Sequence, residues 1–124
     1  MKQLTILLKK EYSKPDRFEV AQDVQVEIFG TYFTIPAGYK TDFASVPQFL
    51  WGIFPPHGLA AIPSLIHDFM YDHQLFAQEL GHENARRLAD TYFLIHMAQT
   101  GVPKWQRLFY YWAVRLFAKG WWER

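Results

Sequence analysis

The chain has 124 residues, of which 50% are hydrophobic and 19% aromatic, and this composition argues against an intrinsically disordered protein. The length suits a domain with its own core, so we expect residues 1–124 to fold as a single domain. The net charge is only +1 without a strong basic stripe, so we expect no binding to nucleic acid.

The sequence contains no cysteine, which excludes disulfides and thiolate metal ligands and favours a reducing compartment. The apolar run near the N-terminus spans about five residues, which is too short for the core of a signal peptide. No apolar run approaches the roughly 20 residues that a membrane span requires. We therefore expect neither a signal peptide nor a transmembrane helix.

The first part of the chain, residues 1–40, predicts a small antiparallel β-sheet. QLTILL (3–8) is typical of a short strand, and VQVEIF (24–29) with TYFTIP (31–36) predicts a hairpin that turns at Gly30. Apolar and polar residues alternate in VQVEIF, which predicts that this strand has one buried face.

Residues 41–63 predict a long loop, because proline and glycine interrupt them repeatedly. One short helical turn is expected around Gln48–Phe54. Loops of this length in compact domains are usually functional or disordered, and the aromatic side chains of this one indicate that it is packed.

The last part of the chain, residues 64–124, predicts helices. A helix capped by Ser64 extends to about Gln78, a second covers residues 82–99, and a third begins at Pro103. Strands followed by helices predict an α+β fold.

The stretch LIHDFMYDH (65–73) places ionisable residues on an apolar helix. His67 and Tyr71 are four residues apart and share a face of that helix. Asp90 lies in the middle of the next predicted helix, where aspartate has low helix propensity and no local reason to occur. The two helices are joined by a short turn near residue 80, and His67 and Asp90 lie at comparable distances from it along the chain.

A carboxylate bonded to one imidazole nitrogen fixes the tautomer and leaves the other nitrogen as a base. Asp90 could therefore orient His67 for general-base catalysis. The alternative is that His67 lies at the edge of the core beside a surface Asp68, while Asp90 makes a solvated ion pair with Arg86. The sequence leaves both interpretations open.

The loop segment TDFASVP (41–47) contains Asp42, which could be an ordinary turn residue or a metal ligand. Calcium prefers carboxylates, backbone carbonyls and water. Asp42 and the carbonyl of Phe43, facing Asp68 on the helix, would supply such a set. Their spacing alone does not distinguish the two possibilities.

Four motifs occur in order along residues 41–118: TDF (41–43), HDFMY (67–71), DTYF (90–93) and YYWAVRLF (110–117). Their order and approximate spacing resemble those of small bacterial phospholipase A₂ enzymes. The resemblance implies a three-helix phospholipase A₂-like unit and calcium-dependent hydrolysis of a phospholipid or related ester.

In that resemblance His67 is the general base on a water molecule, Asp90 orients it, and Tyr71 helps to fix this framework. Asp42, the Phe43 carbonyl and Asp68 hold Ca²⁺, which stabilises the developing oxyanion. The chain departs from the family pattern because it lacks disulfides, the calcium-loop glycines of the animal enzymes, and a counterpart in the small bacterial enzymes for its N-terminal strands.

A second resemblance covers nearly the whole chain. GYKTDFASVP (38–47), followed by PP-x-G, HD-x-x-Y and AD-x-x-F, is similar to a family of small phage and prophage proteins of unknown function. It implies a viral or prophage origin, a location in the host cytoplasm or virion, and a virion or host protein as a possible partner.

Two other functions remain open. A His-Asp metal phosphohydrolase would use His57, His67, Asp68 and Asp90, although His57 lies in a Pro-Pro-His-Gly loop rather than on a helix. A non-enzymatic phage structural or host-interaction protein could instead keep the same scaffold.

The C-terminal helix bears on the second possibility. Residues 103–124 carry five Lys or Arg against one Glu, a net charge of +4 (five minus one), and are apolar nearly all round. Such a helix usually belongs to the core. Alternatively it is a partner surface, or it docks on a membrane surface or phospholipid, where Trp121, Trp122 and the nearby cations would suit an anionic interface.

Overall fold

The computed structural model describes residues 8–10, 18–41 and 58–123. The chain divides into two compact units, Met1–Phe43 and Ala44–Arg124, and each is described by itself. The first is built of strands and the second of helices, so the predicted α+β class is confirmed. The expectation of a single domain stays a prediction.

The described residues of the N-terminal unit form two small antiparallel sheets. In the first, the strands lie in the order β1-β2-β5, and the second is the hairpin β3-β4. The strands are β1 (Leu8–Lys10), β2 (Phe18–Val20), β3 (Val24–Ile28), β4 (Thr31–Ile35) and β5 (Lys40–Thr41). Most of the strand predicted over residues 3–8 lies outside the described residues.

The predicted hairpin is confirmed to within one residue at each strand end. Val24 pairs with Ile35, and Ile28 pairs with Thr31. The two turn residues, Phe29 and Gly30, have φ values of 49° and 85°. Positive φ at both positions is the backbone of a type I′ turn, whose twist matches that of the flanking strands.

The helical unit contains three long helices and two short ones among its described residues. They are α1 (Ala61–Asp72), α2 (Ala77–Leu80), α3 (His82–Thr100), α4 (Lys104–Phe117) and α5 (Lys119–Glu123), with one 3₁₀ turn, Gly58–Ala60, before α1. None of the helices in the described ranges is long and apolar enough to cross a membrane.

The predicted bounds of the first helix are wrong at both ends. α1 begins three residues before Ser64, which is buried inside the helix and makes no capping hydrogen bond. Pro63 is tolerated because it lies in the first turn, where its missing N–H would have no helical partner. The helix stops before Gln78 because Gln74 and Phe76 adopt positive φ values of 47° and 68°.

α3 packs against both α1 and α4 and forms the centre of this unit. Its predicted bounds are confirmed to within one residue, and Gly101 ends it with a φ of 94°. Fully buried apolar side chains come from all three long helices: Leu65, Ile66 and Met70 from α1, Ala85, Ala89, Phe93 and Met97 from α3, and Tyr110 and Val114 from α4. Each burial of a large side chain contributes about 1.5–3 kcal/mol.

His96 on α3 is buried in the helical unit. Its Nδ1 atom has no hydrogen-bond partner among the residues that the structure describes, and its ring lies edge-on to Tyr92 at 5.6 Å. Burial lowers the pKa of His96 from 6.5 to about 4. The ring therefore stays neutral in the folded protein at pH values where an unfolded chain would bind a proton.

We expect the free energy of unfolding to fall as the pH is lowered from 6.5 to about 4, because the unfolded state binds the proton of His96 and the folded state does not. The contribution of this one group has a slope of up to about 1.4 kcal/mol per pH unit. The measurement is urea unfolding across this pH range for the wild type and His96→Leu.

His96→Leu should lose the part of the pH dependence of unfolding that comes from His96. The matched control is His73→Leu, because His73 is exposed at the end of α1. A His96→Leu profile parallel to that of the wild type would contradict the assignment.

Candidate functional site

Asp90 on α3 accepts hydrogen bonds from two residues of α1 at one carboxylate oxygen. His67 Nε2 donates to Asp90 Oδ1 at 2.7 Å, and the Tyr71 hydroxyl donates to the same oxygen at 2.6 Å. His67 and Tyr71 are one helical turn apart, with ring centroids 4.3 Å from each other. The predicted convergence of these three residues is therefore present.

The other carboxylate oxygen of Asp90 faces two arginines. Arg115 Nη1 of α4 donates to Oδ2 at 2.8 Å, and Arg86 Nη1, one turn earlier on α3, lies 3.6 Å from it. Arg115 also binds Glu83 at 3.1 Å. We call His67, Tyr71, Arg86, Asp90 and Arg115 the Asp90 cluster.

The predicted alternative of a solvated Asp90–Arg86 pair is wrong, because both side chains are buried. Arg86 Nη1 also lies 3.3 Å from the Tyr71 hydroxyl and from the Val114 carbonyl. Its Nη2 donates to the Arg115 carbonyl at 3.3 Å. Arg86 therefore ties the backbone of α4 to the side chains of α1 and α3.

His67, Tyr71 and Arg115 keep Asp90 ionised despite its burial. Burial alone would raise the pKa of the Asp90 carboxyl, but hydrogen bonds from His67, Tyr71 and Arg115, together with the charge that His67 carries when it is protonated, hold this pKa below its ordinary value. Burial tends to lower the pKa of the Arg115 guanidinium, and its bonds to Asp90 and Glu83 outweigh this and raise it. The pair is charged at neutral pH.

The Tyr71 hydroxyl stays protonated. Burial, and next the negative charge of Asp90, raise its pKa above the ordinary value, and this outweighs the lowering by Arg86. Tyr71 is therefore a hydrogen-bond donor to Asp90 rather than a second anion beside it.

The charge state of Asp90 assigns the tautomer of His67. An ionised carboxylate only accepts hydrogen bonds, so Nε2 of His67 carries the hydrogen in the 2.7 Å bond. In the neutral ring Nδ1 is then the atom that can accept a proton. This is the arrangement that a general base requires.

The site is enclosed. His67 and Asp90 have no exposed surface, and the Phe93 ring lies against His67 with centroids 4.6 Å apart. On the Tyr71 side the buried Trp122 of α5 presents its ring edge-on at 5.2 Å. A substrate reaches Nδ1 of His67 only if part of this wall moves.

Trp122 belongs to the interior of the helical unit, so the prediction that places it at a membrane interface is wrong. Its indole Nε1 donates to Nδ1 of His82 at 3.2 Å, and its carbonyl accepts a bond from Gln74 at 2.7 Å. α5 thereby closes over the segment that joins α1 to α3.

Of the three predicted calcium ligands, two lie outside the described residues: Asp42 and Phe43. The third, Asp68, is buried on α1. Within the ranges that the structure describes, no group of three His, Cys, Asp or Glu side chains could hold a metal ion. The calcium site stays a prediction, as does the phosphohydrolase site, because His57 is also outside the described residues.

Sequence reasoning missed the part that Arg115 plays. The sequence indicates Arg115 only as one of the cations of the C-terminal helix. It also lies in the YYWAVRLF motif, but the resemblance to phospholipases gives it no function. A usable signal exists, since a buried aspartate in the middle of a helix needs a cation. Arg86 and Arg115 are the arginines that meet this need.

Residues 18–114 match the family described as "Protein of unknown function (DUF1353)". The chain belongs to this family. The match includes His67, Tyr71, Arg86 and Asp90, but ends one residue before Arg115.

The DUF1353 chain is also similar to "Uncharacterized protein y4jT" of Sinorhizobium fredii (strain NBRC 101917 / NGR234), with 30% identity over 107 residues. The match covers 84% of this chain and 30% of that protein, so the chain spans about a third of its relative's length. No solved structure matches the chain with significance.

We expect Asp90→Asn to lower the free energy of unfolding by about 3–5 kcal/mol, because it leaves Arg86 and Arg115 without the carboxylate that offsets their charge in the interior. The measurement is the urea midpoint of the far-ultraviolet circular dichroism signal at neutral pH.

Asp72→Asn is the matched control, because Asp72 is exposed at the end of α1. The control should change the unfolding free energy by less than about 0.5 kcal/mol. Equal effects of the two substitutions would show that Asp90 is not a special structural residue.

Proposed function

We propose that this protein is a hydrolase in which His67 activates water for attack on the ester of a phospholipid or related lipid. The observation that carries the proposal is the 2.7 Å bond from His67 Nε2 to the buried, ionised Asp90. This bond fixes the ring and directs the basic lone pair of the neutral imidazole to Nδ1.

The proposed reaction uses this geometry. Nδ1 of His67 takes a proton from water as the water oxygen bonds to the ester carbonyl carbon, and Asp90 stabilises the resulting imidazolium. The tetrahedral intermediate then collapses, the bond to the leaving alkoxide breaks, and His67 returns the proton to that oxygen. Asp90 remains ionised throughout, as its lowered pKa favours.

Calcium is part of the proposal. Carboxylates and backbone carbonyls are the donors that Ca²⁺ prefers, so Asp42, the Phe43 carbonyl and Asp68 fit this ion chemically. When bound, the ion would stabilise negative charge on the ester carbonyl oxygen. His67, Asp90 and Tyr71 perform the proton transfer and its positioning.

The lipid substrate is supported by the ordered motifs shared with small bacterial phospholipase A₂ enzymes, which also support a phospholipase-like core. The similarity to small phage and prophage proteins supports an origin in a phage or prophage, with the host cytoplasm or virion as its location. The lipid substrate, the phospholipase-like core, the phage or prophage origin and the location are all parts of this proposal and do not follow from the family assignment.

A non-enzymatic role is the second candidate, and one observation favours it. His67 has no exposed surface, and both oxygens of Asp90 already have partners, so the Asp90 cluster is complete as a structural element. In this case the cluster would hold together the helical unit of a phage structural or host-interaction protein.

The deciding assay is fatty-acid release from mixed micelles that contain anionic phospholipid, with calcium and with a chelator. We expect calcium-dependent release by the wild type and a rate about 10²–10⁴-fold lower for His67→Asn, since this is the usual contribution of a general base. His73→Asn is the matched control and should retain the wild-type rate, because His73 is exposed and lies outside the Asp90 cluster.

Urea unfolding of the same proteins separates the two candidates. Loss of release by a His67→Asn protein that remains folded supports the hydrolase. Negligible release by the wild type under both conditions, with His67→Asn merely less stable, would overturn the hydrolase and leave the structural role.

A further inference from the structure

α4 exposes large apolar side chains along one face. Leu108, Trp112 and Leu116 follow one another at intervals of one turn, and 37%, 56% and 69% of their respective surfaces are exposed. Trp105 and Phe109 lie on the same side, with exposed fractions of 64% and 47%. We call these five residues the outer face of α4.

The outer face, together with Ala113 and Phe117, lines an apolar groove of about 520 Å³ along the helix. A continuous exposed apolar surface of this kind marks a place where a protein binds another surface. The sequence pattern of α4 favours the core, and this expectation is wrong for one side of the helix only. Tyr110, Ala113 and Val114 are buried, and the outer face is not.

The charged residues of the sequence stretch that carries the outer face are all cations. The sequence from Pro103 to Trp122 contains no Asp or Glu. Lys104 and Lys119 are exposed at the two ends of the helix. Lys119 lies 3.8 Å from Glu123 in an exposed ion pair, which holds it only weakly. An occupant of this face therefore meets apolar side chains flanked by cations.

This charge pattern argues against a second copy of the chain as the occupant. Antiparallel pairing of two outer faces would bring Lys104 of each copy near Lys119 of the other, and parallel pairing would bring each lysine near its own equivalent. Like charges placed together disfavour association. An anionic surface has the complementary charge.

The residue types also suit a lipid surface. Tryptophan is enriched at the headgroup level of bilayers, where its ring is buried and its N–H remains hydrated, and the outer face carries Trp105 and Trp112. A helix with such a face lies in the plane of the interface, and nearby lysines are attracted to anionic headgroups.

We propose that the outer face of α4 docks on a bilayer that contains anionic lipid. Trp112 and Leu116 enter the headgroup region together with Trp105, and Lys104 and Lys119 contact the anionic headgroups. This inference concerns binding alone and holds whether or not the protein hydrolyses lipid.

The test is co-sedimentation of the full chain with vesicles of ether-linked lipids, which have no ester bond to cleave. One set contains phosphatidylcholine alone, and the other contains phosphatidylcholine and phosphatidylglycerol at about three to one. We expect binding to the anionic vesicles and at least about tenfold weaker binding by Trp112→Ala/Leu116→Ala, because both lost side chains would be buried in the interface.

Leu80→Ala/Ile95→Ala is the matched control, since these apolar side chains are exposed on α2 and α3. It should bind as the wild type does. Lys104→Gln/Lys119→Gln should weaken binding to the anionic vesicles and leave the secondary structure unchanged.

Three results would overturn the proposal. The first is an absence of wild-type binding, and the second is equal binding to both kinds of vesicle. The third is a wild-type dimer in sedimentation velocity that Trp112→Ala/Leu116→Ala converts to a monomer, because a second copy would then occupy the outer face.

Discussion

The helical unit depends on the burial of one charged carboxylate. An ionised group in a protein interior costs several kcal/mol unless charged and hydrogen-bonding partners surround it. Asp90 obtains them from each of the long helices: His67 and Tyr71 from α1, Arg86 from its own helix α3, and Arg115 from α4. Apolar packing alone tolerates small sliding of one helix along another, whereas these bonds do not. The carboxylate therefore sets the relative positions of α1, α3 and α4.

The same bonds determine what the site can do chemically. The two arginines face Oδ2, so Oδ1 is left to His67 and Tyr71. Both Oδ1 partners donate, and Tyr71 cannot release its proton beside Asp90, because its pKa is raised. The imidazole is thus held by Nε2, with Nδ1 as its proton acceptor. The same geometry suits a structural ion-pair network and an oriented general base. The two roles are distinguished by measuring both catalysis and folding stability for the same substitution.

The parts of this arrangement that follow from local patterns could be predicted from the sequence. The hairpin follows from β-branched residues around Gly30, and the meeting of His67 with Asp90 follows from helical spacing and a short connection. The break after α1 could not be predicted, because Gln74 and Phe76 take positive φ without the glycine that usually signals it. Arg115 was missed because it contacts Asp90 from another helix and lies 25 residues away in the sequence, a separation that no local period encodes.

α4 shows why periodicity alone does not tell a core helix from a docking helix. Apolar residues surround it almost completely, so both sides satisfy the pattern of a buried face. The structure separates them by burial: Tyr110, Ala113 and Val114 lie in the interior, while Trp112 and Leu116 are exposed. Arg115 lies on the flank between these faces and supplies the nearer of the two cations to Asp90. The docking proposed for the outer face would therefore act on the helix that carries Arg115, and through Arg115 on Asp90, the hydrogen-bond partner of His67.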